Sequence, residues 1–316
     1  MAFFLAVDVG GTKTDYLLAD ESAELCRTRT GTIKRMRTDA SSAAANLDLA
    51  LDELTARSGV SMQAITRTCV GTAGETVPLV TDWLRQAFSA RVSGDLLLLG
   101  DVEIALDAAF HGGIGVLAMA GTGSNVAGRR PDGSIVTAGG WGPELADQGS
   151  GHRIGHEGLR AVFMARDEGR STLLLDAIMA FWAVPSLGLL VEAANARPAP
   201  DFSRLTEVFL DCARKGDAVA SEVLRQQGKE LAWLVRLVIR QVYAATAAAG
   251  SGRKAELPSV ALTGSIMEKV PPVREALVAD IRSEFPAIQV REGVVDPLLG
   301  ALWRAQNPVL PPGPGR

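Results

Sequence analysis

Cysteine is scarce in this chain of 316 residues, which contains only three. Cys26, Cys69 and Cys212 are far apart in the sequence and odd in number. This pattern fits buried thiols in a reducing cytoplasm and excludes a disulfide framework or a cysteine zinc site. Histidine is equally rare, and His111, His152 and His156 match no metal-ligand spacing. We therefore expect the histidines to be structural or solvent-facing.

Long apolar runs are also missing, since no window offers the ~20 consecutive apolar residues of a membrane helix. The opening segment AFFLAVDV is too short for a signal peptide, is interrupted by Asp8 and lacks a basic lead-in. Basic and acidic residues are mixed along the chain, with a net charge of −4. No basic stripe typical of nucleic-acid binding is present. We expect a cytoplasmic protein that binds neither membrane nor nucleic acid.

Glycine, in contrast, is abundant at 33 residues, and it marks the turns between the elements. The pattern predicts three antiparallel strands and then alternating strands and helices, which is typical of a mixed α/β sheet. At residue 114 the order of strand, glycine turn and strand restarts. We therefore predict two α/β domains, 1–113 and 114–296, each with a mixed five-stranded sheet flanked by helices. The second carries a helical insertion, and a C-terminal helix at 297–307 joins the first.

Two glycine-rich turns follow apolar strands, GGTKT at 10–14 and GTGSN at 121–125. Without a Cβ atom, the glycine backbone can approach phosphate oxygens and direct its N–H groups at them. Hydroxyls and one lysine add donors and charge, and Asp8 could hold Mg²⁺ through water. Each turn alone could be an ordinary hairpin turn. Together they favour an ATP-dependent phosphotransferase.

Further motifs extend this pattern along the chain: GGWGPELADQGS at 139–150, CARKGD at 212–217, ALTGS at 261–265 and DPLLGAL at 296–302. In this order, and over nearly the whole chain, they resemble the N-acetylglucosamine kinase family of BadF/BadG-type ATPases. The resemblance implies an actin/hexokinase-like, ribonuclease H-like fold with an interdomain cleft. It also implies ATP and Mg²⁺ as cofactors, a small-molecule amino sugar as substrate, and a homodimer.

The resemblance places the catalytic base at Asp101, which directly follows the predicted strand Leu96–Leu99. A carboxylate at the carboxyl edge of a sheet suits a base that faces the γ-phosphate of ATP. Helix N-capping is an alternative role for Asp101. Asp107 is a rival base, but it lies about 240° around the same helix and cannot face the same substrate.

The resemblance also assigns residues to the two ligands. The predicted ATP contacts are Gly10, Gly11, Thr12, Lys13, Thr14, Gly121, Thr122, Gly123, Ala213, Gly264 and Ser265. The predicted sugar contacts are Thr72, Ala73, Gly74, Asp101, Ser124, Asn125, Gly140, Trp141, Gly142 and Asp147. A carboxylate such as that of Asp147 can accept hydrogen bonds from two hydroxyls, which suits a sugar.

One segment departs from the family pattern. The loop after the third strand usually presents asparagine to the sugar, whereas this chain has GTIKRMR at 31–37. Its cations could form a solvated rim. Alternatively, Lys34 or Arg35 could contact a carboxylate or bulky acyl group, as on N-acetylmuramic acid. The residues Pro143 and Glu144 also depart, within the tryptophan motif.

The predicted activity is ATP-dependent phosphorylation of the 6-hydroxyl of an amino sugar, with N-acetylglucosamine or glucosamine as the first candidates. N-acetylmuramic acid or another anionic amino sugar is the alternative substrate. A second class is the activator ATPase of 2-hydroxyacyl-CoA dehydratases, which needs cysteines to hold an iron–sulfur cluster. A third is a sugar sensor without turnover, although the sequence offers no helix-turn-helix output module.

Overall fold

The computed structural model describes residues 1–249 and 256–307. The sequence predicts a loop at 250–258 and a proline-rich, frayed tail at 307–316, and both lie mostly outside the described residues. The chain divides into two compact units. The first contains Met1–Gly115, Asp132–Ser134 and the C-terminal segment from Val295, and the second contains Val116–Pro131 and Ile135–Val294.

The first unit is built on a five-stranded mixed sheet. Its strands are β1 (Phe3–Val9), β2 (Lys13–Ala19), β3 (Glu24–Gly31), β4 (Ile65–Thr72) and β5 (Asp95–Leu99), in the order β3-β2-β1-β4-β5. The pairings β1–β2 and β2–β3 are antiparallel, whereas β1–β4 and β4–β5 are parallel. The helices are α1 (Ala40–Ser58), α2 (Pro78–Ser89), α3 (Asp101–Phe110) and a C-terminal helix (Pro297–Gln306), with a short 3₁₀ turn at Met62–Ala64.

The sequence predicts both ends of α1. The Asp39 side chain caps α1 by accepting from Ser42 N–H at 2.9 Å, and Gly59 ends the helix at φ +71°. For α2, the sequence predicts a helix at about 76–90 with Thr76 as its N-cap, and this N-cap is wrong. The N-cap is Val77, without a side-chain hydrogen bond, because Pro78 sets the start of the helix.

Both faces of the first sheet are buried. Leu5 and Val7 of β1 pack into a core beneath α1 and α2, whereas Phe4 and Ala6 pack with the C-terminal helix on the other face. Side chains alternate along a strand, so Asp8 at the end of β1 belongs to the same face as Phe4 and Ala6. The sheet therefore directs Asp8 towards the side that carries the C-terminal helix.

A buried ion pair joins α3 to the C-terminal helix. Asp107 is fully buried, and one of its carboxylate oxygens accepts from Arg304 Nη1 at 2.9 Å. Arg304 Nη2 also lies 3.3 Å from Glu103 Oε1. A buried, paired carboxylate cannot serve as the base of an open site. Asp107 therefore has a structural role.

The two helices approach each other closely at Gly300. A methyl group at this position would lie 1.7 Å from the carbonyl oxygen of Ile104 in α3. We expect Gly300→Ala to push the helices apart and to lower the free energy of unfolding by about 1–3 kcal/mol. Urea unfolding followed by circular dichroism measures the loss.

Gly188 is the matched control for this substitution. It also lies in a helix (Leu187–Ala194), and a methyl group there would meet no atom within 4 Å. Gly188→Ala should be neutral or slightly stabilising, because alanine favours helix more than glycine does. Equal unfolding midpoints for the two variants would contradict the proposed close approach.

The second unit contains a sheet of four strands among the described residues. They are β6 (Gly115–Ala120), β7 (Ser124–Arg129), β8 (Ile135–Gly139) and β9 (Val260–Thr263), in the order β8-β7-β6-β9. β6 and β9 are parallel, and β7 and β8 are antiparallel. The sequence predicts a fifth strand in this sheet. The described residues show only an isolated parallel bridge between Val260 and Val290, and a single residue pair does not form a strand ladder.

The helical part of the second unit is more interrupted than its periodicity predicts. The helices are α4 (Gly151–Asp167), α5 (Leu174–Phe181), α6 (Leu187–Ala194), α7 (Thr206–Arg214), α8 (Ala218–Ala249), α9 (Ser265–Lys269) and α10 (Pro271–Glu284), with a 3₁₀ turn at Phe202–Leu205. The sequence predicts that residues 153–195 and 201–248 are almost wholly helical in period, and the structure divides each range into several helices. Gly169 and Gly216 have φ of +70° and +87° and interrupt the runs.

By length and composition alone, α8 could cross a membrane, and it is the only such helix in the described parts of the chain. Its apolar residues Leu231, Leu234 and Val238 are buried in the core of the second unit. Arg236 and Arg240 on the same helix form ion pairs with Glu284 of α10 at 3.3 and 2.6 Å. A buried core helix of this kind passes the same composition test.

Candidate functional site

Three strand ends meet at the carboxyl edge of the first sheet. In the parallel register, Asp8 of β1 lies opposite Gly71 of β4, and Gly71 lies opposite Leu99 of β5. The chain leaves β5 through Gly100 into α3, which begins at Asp101. Asp8 and Asp101 are thus brought to one edge, where ligands bind in open α/β sheets.

Asp8 is in an unusual electrostatic environment. Its pKa is raised to about 7, first by burial and then by the negative charges of Asp101, Asp15 and Asp296, whereas Lys13 acts in the opposite direction. The carboxylate would be stabilised by a cation, which would offset the repulsion. Mg²⁺ commonly binds to one or two carboxylates and keeps several waters. The predicted role of Asp8, which is to hold Mg²⁺ through water, fits these ligand preferences of the ion.

Asp101 occupies the first turn of α3. Gly100 is the N-cap, so the expected capping role does not fall to Asp101, whose Oδ1 accepts from Val102 N–H at 2.8 Å. Burial raises the pKa of Asp101, and Glu75 raises it further, whereas the Val102 hydrogen bond and the positive charge of Lys34 lower it. A carboxylate with a raised pKa is a stronger proton acceptor than an ordinary surface aspartate.

Glu75 belongs to this site, although the sequence analysis did not select it. A methyl group at Gly100 would lie 3.3 Å from both the carboxyl carbon and Oε1 of Glu75, so this side chain covers the turn that leads into α3. The only sequence signal was its position after the Thr72–Gly74 loop. Its contact with Gly100 depends on tertiary packing, which spacing along the chain does not reveal.

The Thr72–Gly74 loop itself follows β4. Thr72 is fully buried and its Oγ1 donates to the carbonyl oxygen of Ala73, whereas Ala73 and Gly74 are partly exposed. The Sδ atom of Met36 would lie 3.7 Å from a methyl group at Gly74. The predicted sugar loop and the lysine- and arginine-rich segment are therefore neighbours.

The Gly10 turn closes the hairpin between β1 and β2. Gly10 N–H donates to Lys13 O at 3.0 Å, and Gly11, Thr12 and Lys13 are exposed. These three residues are available to a phosphate group. Thr14 differs from its predicted role, because it is fully buried and its Oγ1 accepts from Ile33 N–H at 3.1 Å. The strand alternation turns Thr14 inward, where it supports the next loop.

The segment Gly31–Arg37 is called the basic loop below. Thr32, which the sequence analysis also missed, ties it to the Gly10 turn: Thr32 Oγ1 donates to Gly10 O at 2.7 Å and accepts from Lys34 N–H at 3.0 Å. Arg35 Nη1 donates to Thr38 O at 2.5 Å, so this predicted sugar contact is engaged within its own segment. The negative charges of Asp101 and Glu75 act on Lys34, whereas burial lowers its pKa.

In the second unit, the Gly121 turn connects β6 and β7. Gly121 N–H donates to Gly123 O at 2.8 Å, and the carbonyls of Gly121 and Thr122 accept from the first amides of α4. Thr122 and Gly123 are exposed. Exposed glycine-turn amides of this kind can bind an anion.

The turn at Gly264 lies beside the Gly121 turn. β6 and β9 are parallel with Met119 opposite Thr263, and Ser265 Oγ would lie 3.7 Å from a methyl group at Gly121. Gly264 has φ +96°, and a methyl group there would lie 2.3 Å from Ala120 O. Only glycine fits at this position without displacing β6. Two of the predicted nucleotide turns are thus brought together.

Asp147 packs against the Gly121 turn. It is buried, and its Oδ2 would lie 3.2 Å from a methyl group at Gly123. Burial raises the pKa of Asp147, whereas a hydrogen bond from the Ser124 backbone and the charge of Arg153 lower it. Ser124 Oγ donates to Gln148 O at 2.8 Å, which fixes the loop to β7.

The tryptophan motif forms a turn with unusual backbone angles. Gly139, Gly140 and Gly142 have φ of +79°, +73° and +91°, and Trp141 is 73% exposed. A methyl group at Gly140 would lie 2.8 Å from Asn125 Cγ, so the predicted sugar contacts Asn125 and Gly140 touch.

Several buried polar atoms near this turn have no protein partner among the described residues. They are Asn125 Oδ1, Gln148 Oε1, His152 Nδ1 and Arg153 Nε. Buried polar groups are almost always hydrogen-bonded in native proteins. The cluster therefore fits a polar ligand or ordered water at this end of the second sheet.

Other predicted residues lie in simpler surroundings. Ala213, on α7, packs against the core of the second unit. His152 and His156 stack with ring centroids 6.2 Å apart, and His111 stacks on Trp303 at 5.5 Å. Within 1–249 and 256–307, no group of three or more histidine, cysteine, aspartate or glutamate side chains is arranged to hold a metal ion.

The chain matches the model of the BadF/BadG/BcrA/BcrD ATPase family over residues 5–305. It belongs to this family. An N-acetylmuramic acid/N-acetylglucosamine kinase of Clostridium acetobutylicum is 30% identical over 188 residues, which are 57% of this chain and 60% of that protein. An N-acetyl-D-glucosamine kinase of Dictyostelium discoideum is 24% identical over 321 residues, 96% of this chain and 98% of that protein.

A solved structure with low sequence identity to this chain shows the same fold. It is a candidate N-acetylglucosamine kinase from Chromobacterium violaceum, with a TM-score of 0.73, 24% identity, and coverage of 96% of this chain and 98% of that one. This chain therefore has the actin/hexokinase-like fold, with two mixed sheets flanked by helices. The resemblance and fold class predicted from the motifs are confirmed.

The three cysteines of this chain bear on the alternative of a dehydratase-activator ATPase, because that class of protein needs cysteines to hold an iron–sulfur cluster. Cys26, Cys69 and Cys212 are 7%, 0% and 2% exposed, and burial raises the pKa of each. A raised pKa leaves less thiolate at a given pH, so we expect iodoacetamide at pH 8 to modify all three only after unfolding in urea. Mass spectrometry counts the modified cysteines. A brown protein with bound iron, or fast labelling of the native protein, would contradict this expectation.

Proposed function

We propose that this chain is a kinase that transfers the γ-phosphoryl group of ATP to a hydroxyl, the 6-hydroxyl first, of an amino sugar. The observation that carries the proposal is the position of Asp101, at the start of α3 and beside Asp8, with a raised pKa. The names of the two curated relatives support an amino sugar as the acceptor.

In this mechanism Asp101 accepts the proton of the sugar hydroxyl while the oxygen of that hydroxyl attacks the γ-phosphorus of ATP. The bond from that phosphorus to the bridging oxygen breaks, and ADP leaves. Positioning and charge stabilisation supply most of the catalysis in such transfers. Burial of Asp101 and then the negative charge of Glu75 favour proton uptake, because both raise the free energy of the ionised form.

The nucleotide is assigned to the exposed turns. Gly11, Thr12 and Lys13 would contact phosphate oxygens from the first unit, and Gly121, Thr122 and Gly123 from the second. The remaining assignments are Gly10, Ala213, Gly264 and Ser265. Asp8 would hold Mg²⁺ through water, and the ion would neutralise charge on the phosphates.

The sugar is assigned to two carboxylates and one amide. Asp101 and Asp147 would accept hydrogen bonds from hydroxyl groups, and Asn125, whose buried Oδ1 has no protein partner among the described residues, would bind a hydroxyl or amide group. Thr72 contributes to the shape of its loop, because its hydroxyl is engaged with Ala73. The assigned neighbours are Ala73, Gly74, Ser124, Gly140, Trp141 and Gly142. A homodimer and a cytoplasmic location complete the proposal.

N-acetylmuramic acid is the second candidate acceptor. The printed name of the Clostridium acetobutylicum relative includes this sugar, and the basic loop carries three positive charges, on Lys34, Arg35 and Arg37. A panel of glucosamine, N-acetylglucosamine, N-acetylmannosamine, N-acetylmuramic acid and glucose, each with ATP and Mg²⁺, tests the proposal by ADP release. Release that no sugar stimulates would reject an amino-sugar kinase.

Asp101→Asn removes the proposed base with little change in volume. We expect kcat to fall by about 10²–10⁴-fold, because general-base catalysis contributes on this scale. The KM for the sugar should change far less. Steady-state kinetics with the best sugar of the panel measure both constants.

Asp95→Asn is the control, because Asp95 is exposed at the start of β5, at the opposite end of the strand. It should leave kcat close to the wild-type value. An Asp101→Asn variant that folds normally and keeps most of its kcat would remove Asp101 from the proposed role.

A further inference from the structure

The basic loop is fixed to the hairpin that carries the Gly10 turn. Thr32 Oγ1 donates to Gly10 O at 2.7 Å, and Ile33 N–H donates to Thr14 Oγ1 of β2 at 3.1 Å. On the other side of the loop, Asn46 Nδ2 of α1 donates to Thr32 O at 3.1 Å. These hydrogen bonds are buried or partly buried, and such networks hold a segment rigidly. The start of the basic loop therefore has a fixed position relative to the Gly10 turn.

The rest of the basic loop is a tight turn that presents Arg37. Lys34 N–H donates to Thr32 Oγ1 at 3.0 Å, and Lys34 O accepts from Arg37 N–H at 2.8 Å and from Thr38 N–H at 3.2 Å. Lys34 is partly buried, whereas Arg37 is exposed and its Nε would lie 3.9 Å from a methyl group at Gly11. The turn therefore holds a guanidinium beside the exposed glycine backbone that is assigned to phosphate.

Three other cations near this turn are engaged with protein groups. Lys13 Nζ lies 3.5 Å from Asp15 Oδ2, and Arg29 Nε pairs with Asp15 Oδ1. Arg35 donates to a backbone carbonyl of its own segment. In the part of the chain that the structure describes, the Arg37 guanidinium has neither a hydrogen-bond acceptor nor an ion-pair partner. Its N–H donors are therefore free to bind a ligand.

The basic loop also contacts the predicted sugar loop. The Sδ atom of Met36 would lie 3.7 Å from a methyl group at Gly74, and Arg37 is the next residue along the chain. Arg37 thus starts between the turn assigned to phosphate and the loop assigned to sugar. The group that passes from one ligand to the other is the terminal phosphate of ATP. Arg37 is the exposed cation placed at this junction.

Negative charge already surrounds this end of the hairpin. Asp8 and Asp15 lie opposite each other in the register of β1 and β2, and the charges of Asp101 and Asp296 also act on Asp8. Lys13 opposes them, but its ammonium is paired with Asp15. A phosphate at this edge would add further negative charge, so its binding requires positive charge beyond that of Lys13.

We propose that Arg37 binds the terminal phosphate of ATP and stabilises the charge on it during transfer, and that Thr32 is the positioning residue that holds Arg37 beside Gly11. This role deepens the proposed function and rests on it. A guanidinium can donate two parallel N–H bonds to one phosphate, which an ammonium cannot. An arginine on the transferred phosphoryl group accelerates several other phosphoryl transfers strongly.

Arg37→Gln tests the contact with the terminal phosphate, which ADP lacks. We expect the Kd for AMP-PNP with Mg²⁺ to rise at least about tenfold, because charged hydrogen bonds are lost, and the Kd for ADP to change less than about threefold. Isothermal titration calorimetry without sugar measures both constants. Arg37→Lys should restore only part of the discrimination between the two nucleotides, because an ammonium cannot bind in the two-bond geometry.

Arg85→Gln is the matched control, because Arg85 is also an exposed arginine of the first unit, on α2. It should leave both dissociation constants unchanged. Lys13→Gln should cost less discrimination than Arg37→Gln, since Lys13 is paired with Asp15. Equal weakening of AMP-PNP and ADP by Arg37→Gln, or a larger loss of discrimination in Lys13→Gln, would overturn the assignment.

Thr32→Val keeps the shape of the side chain and removes the hydroxyl that bonds to Gly10 and Lys34. It should lose most of the same discrimination, and Thr32→Ser should keep it. In the double variant with Arg37→Gln the two losses should not add, because Thr32 acts through Arg37. Additive losses, or full discrimination in a folded Thr32→Val protein, would reject the positioning role. Thr32→Ala makes the same test if the valine variant does not fold.

The two proposals fail in different ways. If the wild-type protein binds neither AMP-PNP nor ADP, or if no amino sugar stimulates ADP release, the proposed function fails. If the wild-type protein binds AMP-PNP and phosphorylates an amino sugar, but Arg37→Gln keeps its discrimination between the nucleotides, only the roles of Arg37 and Thr32 are rejected.

Discussion

Repulsion among carboxylates at the carboxyl edge of the first sheet is the constraint on which the candidate site depends. The parallel register of β1, β4 and β5 places Asp8 near Asp101, and both pKa values are raised. An arrangement of this kind costs stability, because burial and like charges each disfavour the ionised forms. Such an arrangement of carboxylates is reasonable at a site where a bound cation and a proton-donating substrate offset its cost. It is hard to explain in a sheet with a purely structural role.

Sequence reasoning reached the parts of this site that depend on local order. Asp101 could be predicted because a carboxylate after an apolar strand must lie at the strand end, and the Gly10 and Gly121 turns because glycine permits close backbone approach. Thr14 was wrong as an ATP contact, since strand alternation buries its hydroxyl against Ile33. Motif similarity alone does not reveal on which face of a strand a residue falls.

Glu75 and Thr32 could not be predicted for a different reason. Glu75 gains its importance from contact with Gly100, and Thr32 from its bond to Gly10, and neither partner is a sequence neighbour. The same limit applies to the helical part of the second unit, where periodicity predicts helical structure but not the breaks at Gly169 and Gly216. Helical spacing shows which residues face a core, whereas a break depends on where the next helix must pack.

The helix α3 carries both the proposed catalytic aspartate and a structural one. Asp101 and Asp107 are six residues apart, so they point in different directions from the same helix. Asp107 is fully buried and paired with Arg304, which fixes α3 to the C-terminal helix. That pair anchors the helix whose first turn carries Asp101, while Gly300 allows the two helices to approach within van der Waals contact. The position of the proposed base is therefore set by a buried ion pair more than a turn away, and by the register of a strand that ends just before it.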